Sequence, residues 1–416
     1  MVDAQTDRQH ALGRPRRRNF RLFLTSQVAS QSGTWLQFVA LAWLASELTG
    51  SGAALGWIAV AMFGPLLVSG PWTGALADRV DKHRLLTATQ LLIVGQASAL
   101  GALVLSGVST MGLVYALTLA YGVLHSVEAP VRRAFVAELV GENRIQHAVS
   151  LTSAITAAGR ILGPLAAGVL IASAGVGWCF IGNAAGYLVA LAALLPIHRD
   201  ALHITKAAPE PGAARAGLRY AWSVPELRIA LLLTGVVATF GFNHQVLIPL
   251  LADQTFKGGV GTYTLLYTAM SSGSVFGALV VARRHEIDLR FLAGAIIAFA
   301  LANGSVAISP NLAVAVVASV ATGATALLFI TASNALLQQR CAPTMRGRVM
   351  ALAAMMLLGG VPIGAPIVGW TADLAGPRTA VAVGPMAALL AGAVALRHFA
   401  ARSAKPPLPV KGLVPC

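Results

Sequence analysis

Charge is scarce in this chain: of 416 residues only 11% are Asp, Glu, Lys or Arg, and just 15 are acidic. Water-soluble domains carry about a quarter of charged residues, so an ordinary soluble fold is excluded. Cysteine is nearly absent as well. Its three copies, Cys179, Cys341 and Cys416, lie far apart, which leaves neither a disulfide framework nor a thiolate metal site. The chain contains no G-x-x-x-x-G-K-[ST] phosphate loop, no H-E-x-x-H and no G-x-S-x-G. It also lacks a long polar stretch: the longest connection, Arg199 to Arg228, is rich in Ala, Pro and Gly and too short to be a domain. These absences argue against an enzyme, an ATP-driven pump or any bound cofactor or metal.

What remains is apolar. Some 56% of residues are hydrophobic and the mean hydropathy is +0.73, the composition of a membrane protein. A helix needs about 20 mostly apolar residues to cross roughly 30 Å of hydrocarbon. Twelve runs meet that requirement, at about 20–47, 53–77, 85–106, 110–131, 147–174, 178–197, 229–252, 262–282, 288–308, 312–337, 347–372 and 379–400. They are too long, and too evenly apolar, for barrel strands of about ten alternating residues. The first run is also too long for the apolar core of a signal peptide and is expected to be retained.

A formal charge of +15 raises the question of nucleic acid, but the basic residues are scattered among short loops rather than gathered on one surface. Their distribution instead orients the chain. With the N-terminus cytoplasmic, all but Lys257, Arg378 and Arg160 of the 30 Lys and Arg fall in cytoplasmic loops and tails. Such asymmetry places both termini in the cytoplasm and requires an even number of spans. The expected partner is a lipid bilayer, the inner cell membrane, and no nucleic acid.

The chain repeats itself. Arg199 to Arg228 divides it into residues 1–198 and 229–416, six spans each, joined by the linker 199–228. The fifth span reads GRILGPLAAG, with Gly159, Gly163, Pro164 and Gly168; the eleventh reads GVPIGAPIVG, with Gly360, Gly364, Pro366 and Gly369. Two halves related by an axis along the membrane normal would place a pathway between them. The predicted fold is therefore an all-α membrane protein with twelve transmembrane helices in two pseudo-symmetric six-helix bundles.

Between the second and third spans stands GALADRVDKHRLL, residues 74–86. It resembles the loop motif of major facilitator superfamily transporters, G-x-L-a-D-r-x-G-r-r-x-x-l, matching at Gly74, Leu76, Asp78, Arg79, Lys82, Arg84 and Leu86, with Asp81 where Gly is usual. GRILGPLAAG resembles the helix-5 antiporter motif of the same superfamily, with Ala167 in place of one Gly. APVRRAFVAELVGENRIQHAVSL and NALLQQRCAPTMRGRVMAL resemble the bacterial branch with the enterobactin exporter and drug and lysophospholipid transporters. The resemblance implies that Gly74, Asp78, Arg79 and Arg84 form a cytoplasmic latch. In it, Asp78 faces the amide-bearing end of the eleventh helix near Met345 to Val349. It further implies that the fifth-span glycines make a tight contact with the eighth span, so that Gly163→Leu would harm coupling more than folding.

Ionisable groups inside a span are costly and mark function. Two stand out. Glu128 follows Tyr121 and His125 on one helical face in AYGVLHSVEAP, and Arg160 sits mid-way along the fifth span; the two are expected to pair and to carry proton coupling. An alternative partner for Glu128 is Arg132, one turn on. In the superfamily the first, fourth, seventh and tenth helices line the cavity, and here those four are interrupted by polar residues: Gln27, Ser30, Gln31 and Thr34 in the first, Asn243, His244 and Gln245 in the seventh, Thr325, Thr331, Asn334 and Gln338 in the tenth. Gln27, Gln31, Thr34, Tyr121, His125, Asn243, His244 and Asn334 are the candidate substrate residues. Nearby Trp35, Phe38, Tyr115 and Phe242 suit an amphipathic organic molecule.

The expected function is a proton-coupled exporter of amphipathic small molecules such as drugs, siderophores or lipid-like metabolites, complete as a monomer. An importer on the same fold is the near alternative, and a receptor or assembly protein a distant one.

Overall fold

The computed structural model describes residues 2–141, 144–203, 213–282, 284 and 286–403, with side chains at 17–69, 80–141, 144–200, 202–203, 215–277, 279–281, 284 and 286–395. Every regular element among them is helical. In order these are α1 (Val2–Thr49), α2 (Gly52–Arg79), α3 (Lys82–Leu105), α4 (Met111–Val140), α5 (Ile145–Ala174), α6 (Gly177–Leu194), α7 (Ala213–Ser223), α8 (Pro225–Gly241), α9 (His244–Leu250), α10 (Gly259–Ala282), α11 (Leu289–Ala307), α12 (Leu312–Arg340), α13 (Arg346–Gly359), α14 (Val361–Ala375) and α15 (Pro377–Ser403).

Eleven spans among the described residues are long and apolar enough to cross a membrane. Pro225–Thr255, which is α8, α9 and a π turn, counts as one of them, and Pro343–Ala375, containing α13 and α14, as another. Helix α1 supplies the twelfth of the expected set. It is not among the eleven because Gln27, Ser30, Gln31, Thr34 and Gln37 interrupt its apolar surface. The structure departs from the sequence boundaries in three places. Helix α4 runs on to Val140, nine residues past the expected edge; the seventh and eleventh spans are each broken; and the linker holds the amphipathic helix α7.

The helix ends follow local chemistry. Asp81 caps α3 by accepting from the Arg84 amide at 3.0 Å, Asp288 caps α11 through Phe291 at 2.8 Å, and Asn311 caps α12 through Val314 at 3.0 Å. Asp81 has φ −61°. Glycine's left-handed freedom is therefore not needed where the superfamily motif has Gly.

Packing repeats between the halves. In the first, α1 lies against α6, α2 against α4, and α3 against α4 and α6; in the second, α8 lies against α15, α10 against α12, and α11 against α12 and α15. Across the middle, α2 meets α14 and α5 meets α10. The long axis of the molecule thus has a basic end, where the α2–α3, α6–α7 and α12–α13 connections lie, and a far end, where α1 passes into α2 and α14 into α15.

Candidate functional site

The polar stripe of α1 meets α4 in a buried cluster. Glu128, 1% exposed, accepts from Arg132 one turn on. Arg132 Nη1 also donates to Gln27 Oε1 and Ser30 Oγ, both at 2.8 Å, so the guanidinium joins α4 to α1. Tyr187 of α6 donates to Glu128 Oε2 at 3.5 Å and shares a 3.1 Å hydroxyl bond with Thr34. His125 Nδ1 stands 3.6 Å from the same carboxylate oxygen, its ring stacked on Tyr121 with centroids 5.5 Å apart. The opposite charges and their hydrogen bonds together offset the cost of removing both ions from water.

Of the sequence candidates, Gln27, Thr34, Tyr121, His125 and Glu128 therefore converge. The expected pairing of Glu128 with Arg160 does not occur. Arg132 reaches Glu128 within a single turn, the spacing that needs no second helix. Arg160 instead lies 5.7 Å above the Trp35 ring of α1, and its Nε has no hydrogen-bond partner among the described residues. Gln31 turns from the cluster to Thr156 of α5 at 3.0 Å. The alternative partner of Glu128, Arg132, takes the place expected of Arg160, and Tyr187 is the member that sequence reasoning leaves out of the site. A span ending at residue 131 puts Arg132 in a loop, whereas α4 carries it inside.

In the second half the polar residues collect at the break between α8 and α9. Asn243 is fully buried, donating to the Thr239 carbonyl at 2.7 Å while its Oδ1 has no partner among the described residues. The next two residues face opposite ways. His244 borders a cavity of about 10 Å³ with Asn303, Ser319 and Thr322, and Gln245 borders another of about 10 Å³ with Phe38, Leu55 and Met62 of the first half. His244 Nε2 and Gln245 Nε2 are both buried without partners among the described residues. Each cavity has room for about one water, and the one beside Gln245, which borders both halves, is too small there for a ligand. Asn334 is half-buried on α12, next in sequence to Ser333, whose hydroxyl shares a 2.7 Å bond with Thr234 of α8.

Aromatic rings close the far half of the molecule. Trp35 and Phe38 of α1 stand 6.3 and 5.9 Å from the Tyr267 ring of α10, and Trp43 stacks on Tyr263 at 6.0 Å.

The fifth-span motif is placed differently from expectation. A Cβ on Gly159 would lie 3.3 Å from Trp35 Cδ1, and one on Gly163 would overlap the Trp35 side chain; only Gly168 faces α10, where Thr264 Cβ would lie 2.9 Å away. Pro164 is buried beside them. The eleventh-span copy repeats this pattern. Gly360 and Gly364 pack on Thr239 of α8, and Gly369 meets Gly52 of α2. In both halves the first two glycines seat the helix on the first helix of its own half, and the last lets it approach the other half.

Of the loop motif, Gly74, Asp78 and Arg79 lie where only the backbone is described, as part of α2. Arg84 is exposed and pairs with Asp81 at 3.4 Å; Asp81 also pairs with Arg199 at 3.5 Å. Burial pushes the Asp81 carboxyl up, but the Arg84 amide and the charges of Arg199, Arg84 and His83 outweigh it and hold its pKa below the usual value. Lys82 bonds Glu138 of α4 at 2.7 Å with both side chains 10% exposed, and His83 bonds the Leu194 carbonyl at 2.9 Å. These two residues fasten α3 inside the first half.

The family model of transmembrane secretion effectors matches residues 11–407. The Staphyloferrin A transporter of Staphylococcus aureus is 24% identical over 361 residues, covering 85% of this chain and 89% of the relative. The enterobactin exporter EntS of Salmonella typhimurium is 27% identical over 345 residues, covering 81% of this chain and 80% of its own. Among solved structures, the nucleoside transporter NupG superposes with a TM-score of 0.69 at 13% identity, over 91% of this chain and 99% of the other. A bacterial homologue of the human lysosomal transporter Spinster, captured inward-facing and unoccupied, gives 0.66 at 14% identity, over 93% and 96%. At such identities the superpositions show the fold alone. The family and these relatives are transporters rather than enzymes.

Proposed function

We propose, for a chain that belongs to the transmembrane secretion effector family of major facilitator transporters, that it exports an amphipathic small organic molecule in exchange for protons. Residues 1–198 and 229–416 are read as two bundles that rock about the α2–α14 and α5–α10 contacts, with the basic end in the cytoplasm. The distribution of Lys and Arg supports that orientation, and the repeated packing of the halves supports the rocking motion.

The observation that carries proton coupling is the Glu128–Arg132 pair, buried in a span and fastened to α1 through Gln27 and Ser30. A proton arriving on Glu128 removes the charge that holds Arg132 in place. The guanidinium is then free to leave Gln27 and Ser30, which loosens α4 from α1 and changes the wall along which a substrate passes. Loss of the proton restores the pair. His125, beside the carboxylate and half-exposed, is placed to pass the proton on.

Arg160 above Trp35 favours a substrate with an anionic group and an apolar body, because a cation with no carboxylate partner among the described residues lies with a ring at the seam between halves. Siderophores fit that description, and both the Staphylococcus and the Salmonella relatives carry siderophores by name. One chain holds both halves and needs no second copy to form the pathway.

The test is transport by purified protein in liposomes under an imposed pH gradient, with a panel of siderophores and amphipathic drugs. Proton movement should depend on one of the compounds, run opposite to it, and disappear in Glu128→Gln. Movement of compound and proton in the same direction would make the protein an importer. Drive by sodium alone, or normal proton exchange in Glu128→Gln, would remove the proposed coupling.

A further inference from the structure

At the far end of the molecule one carboxylate joins the two halves. Asp373, in the last turn of α14, reaches across to the start of α2. Its Oδ1 accepts from the Gly52 amide at 2.6 Å, and its Oδ2 accepts from the Ala53 amide at 2.9 Å and the Ser51 hydroxyl at 2.8 Å. These amides have no partner within α2, as in the first turn of any helix, and the peptide dipoles there favour a negative charge. A residue of the second half thus performs for α2 the capping that helices ordinarily receive from their own chain just upstream.

The surroundings make this contact a closure rather than a surface ornament. Gly52 and Gly369 bring the two backbones together beneath it, and a Cβ on Gly56 would lie 2.8 Å from both the Ala365 carbonyl oxygen and Pro366 Cα. Gln254, in the π turn after α9, adds a 2.8 Å bond to the Gly50 carbonyl, so a second element of the second half grips the same turn. The contacts between α2 and α14 break if these helices part at the far end, and the Gln254 bond breaks if the whole second half moves with α14. Counted from the last motif glycine, the equivalent of Asp373 in the first half is Ala172, so α5 has no such group to offer α10.

We propose that Asp373 is the far-side gate latch of the transport cycle: its bonds to Ser51, Gly52 and Ala53 hold the pathway shut to the outside, and opening outward requires them to break. It is a positioning residue that touches no substrate. The inference rests on the two-bundle rocking reading given above, and its test measures shape separately from transport. Asp78 near the basic end of α2, expected to face α13, and Asp373 at the far end, on α14, would then act on opposite ends of the seam between α2 and the eleventh span. The first would favour the outward-facing state and the second the inward-facing one.

The experiment places spin labels at Val108→Cys and Ile308→Cys, which are exposed at the far end of the first and second halves respectively. The background carries Cys416→Ser; Cys179 and Cys341 are buried. Distances are measured in liposomes in the parent, Asp373→Ala, Asp373→Asn and Ser51→Ala. Losing a charge-assisted hydrogen bond should raise the fraction of molecules with separated far ends by about tenfold in Asp373→Ala. Ser51→Ala, which removes one of three donors and leaves both amides, should shift it less. Unchanged distance distributions in Asp373→Ala and Asp373→Asn overturn the latch, whatever transport does. Lengthened distances support it, and if no compound is then moved by the parent protein, the export reading fails while the latch stands. Equal shifts in Asp373→Ala and in a control such as Trp370→Ala, an exposed neighbour on α14, would also overturn it.

Discussion

Arg132 is bound at once to Glu128, four residues back on α4, and to Gln27 and Ser30 on α1, so a single guanidinium ties a buried carboxylate to the next helix. The stability of the first half and the proposed proton exchange therefore share one contact.

Separating the two roles takes two substitutions. Glu128→Gln keeps a hydrogen-bond acceptor for Arg132 and should fold, while compound-driven proton exchange falls by more than about tenfold. Glu128→Ala leaves Arg132 buried and unpaired and should lose about 3–5 kcal/mol of stability besides. Thermal unfolding in detergent and exchange in liposomes, measured side by side, check both.

Gly163 sits within one half rather than between halves, which reverses the expectation drawn from the motif. Gly163→Leu must displace Trp35 and should cost about 1–3 kcal/mol through overpacking. Gly168→Leu presses on Thr264 across the seam and should slow exchange with little loss in the unfolding midpoint. A larger stability loss at Gly168 than at Gly163 would contradict the assignment.

Asp81 gives a pH dependence. Its carboxyl is held below the ordinary carboxylate value in the folded protein, so its charged contacts add stability above the unfolded-state pKa and lose it as pH falls through the folded one. The groups are exposed, so the effect at neutral pH should stay within about 1 kcal/mol. Asp81→Asn retains the cap on α3 and removes the charge. Its unfolding midpoint should lie slightly below the parent at pH 7, and the difference should shrink as pH falls through the folded-state pKa of Asp81.

Asp78→Asn should leave insertion intact and slow transport. Equal rates at matched membrane abundance would show that the carboxylate serves topology alone.

Much of this architecture was legible in the sequence because lipid imposes few options. Length and hydropathy mark twelve spans, eleven of which recur as long apolar spans among the described residues, and the separation of Lys and Arg among the loops supports an even count. Helix α1 shows the limit: the polar residues that make Gln27, Ser30 and Thr34 useful also lower its apolar signal. Arg132 is legible as the alternative partner of Glu128, but its depth in the molecule is hidden for the opposite reason. Pro130 and the two arginines after it resemble the end of a span, yet α4 continues to Val140 and carries Arg132 inward. Which face a helix turns to which neighbour is not encoded in local spacing, so the motif matches the glycines of α5 to α10 when two of them rest on Trp35. The Gln37–Asn183 bond of 2.6 Å, joining α1 to α6 in the buried interior, leaves no motif at all. Asp373 escapes sequence reasoning for a similar reason, since a lone acid at a helix end gives no sign of binding another helix 320 residues away.

Backbone-to-backbone meetings at Gly52, Gly56 and Gly369 bring α2 and α14 together at these points with no side chain of the glycines between them. At such points two rods can roll on one another without first unthreading side chains. A single methyl at Gly56 would act as a wedge under a door, fixing the far end ajar and turning a cycling machine into a static one for capture of that state.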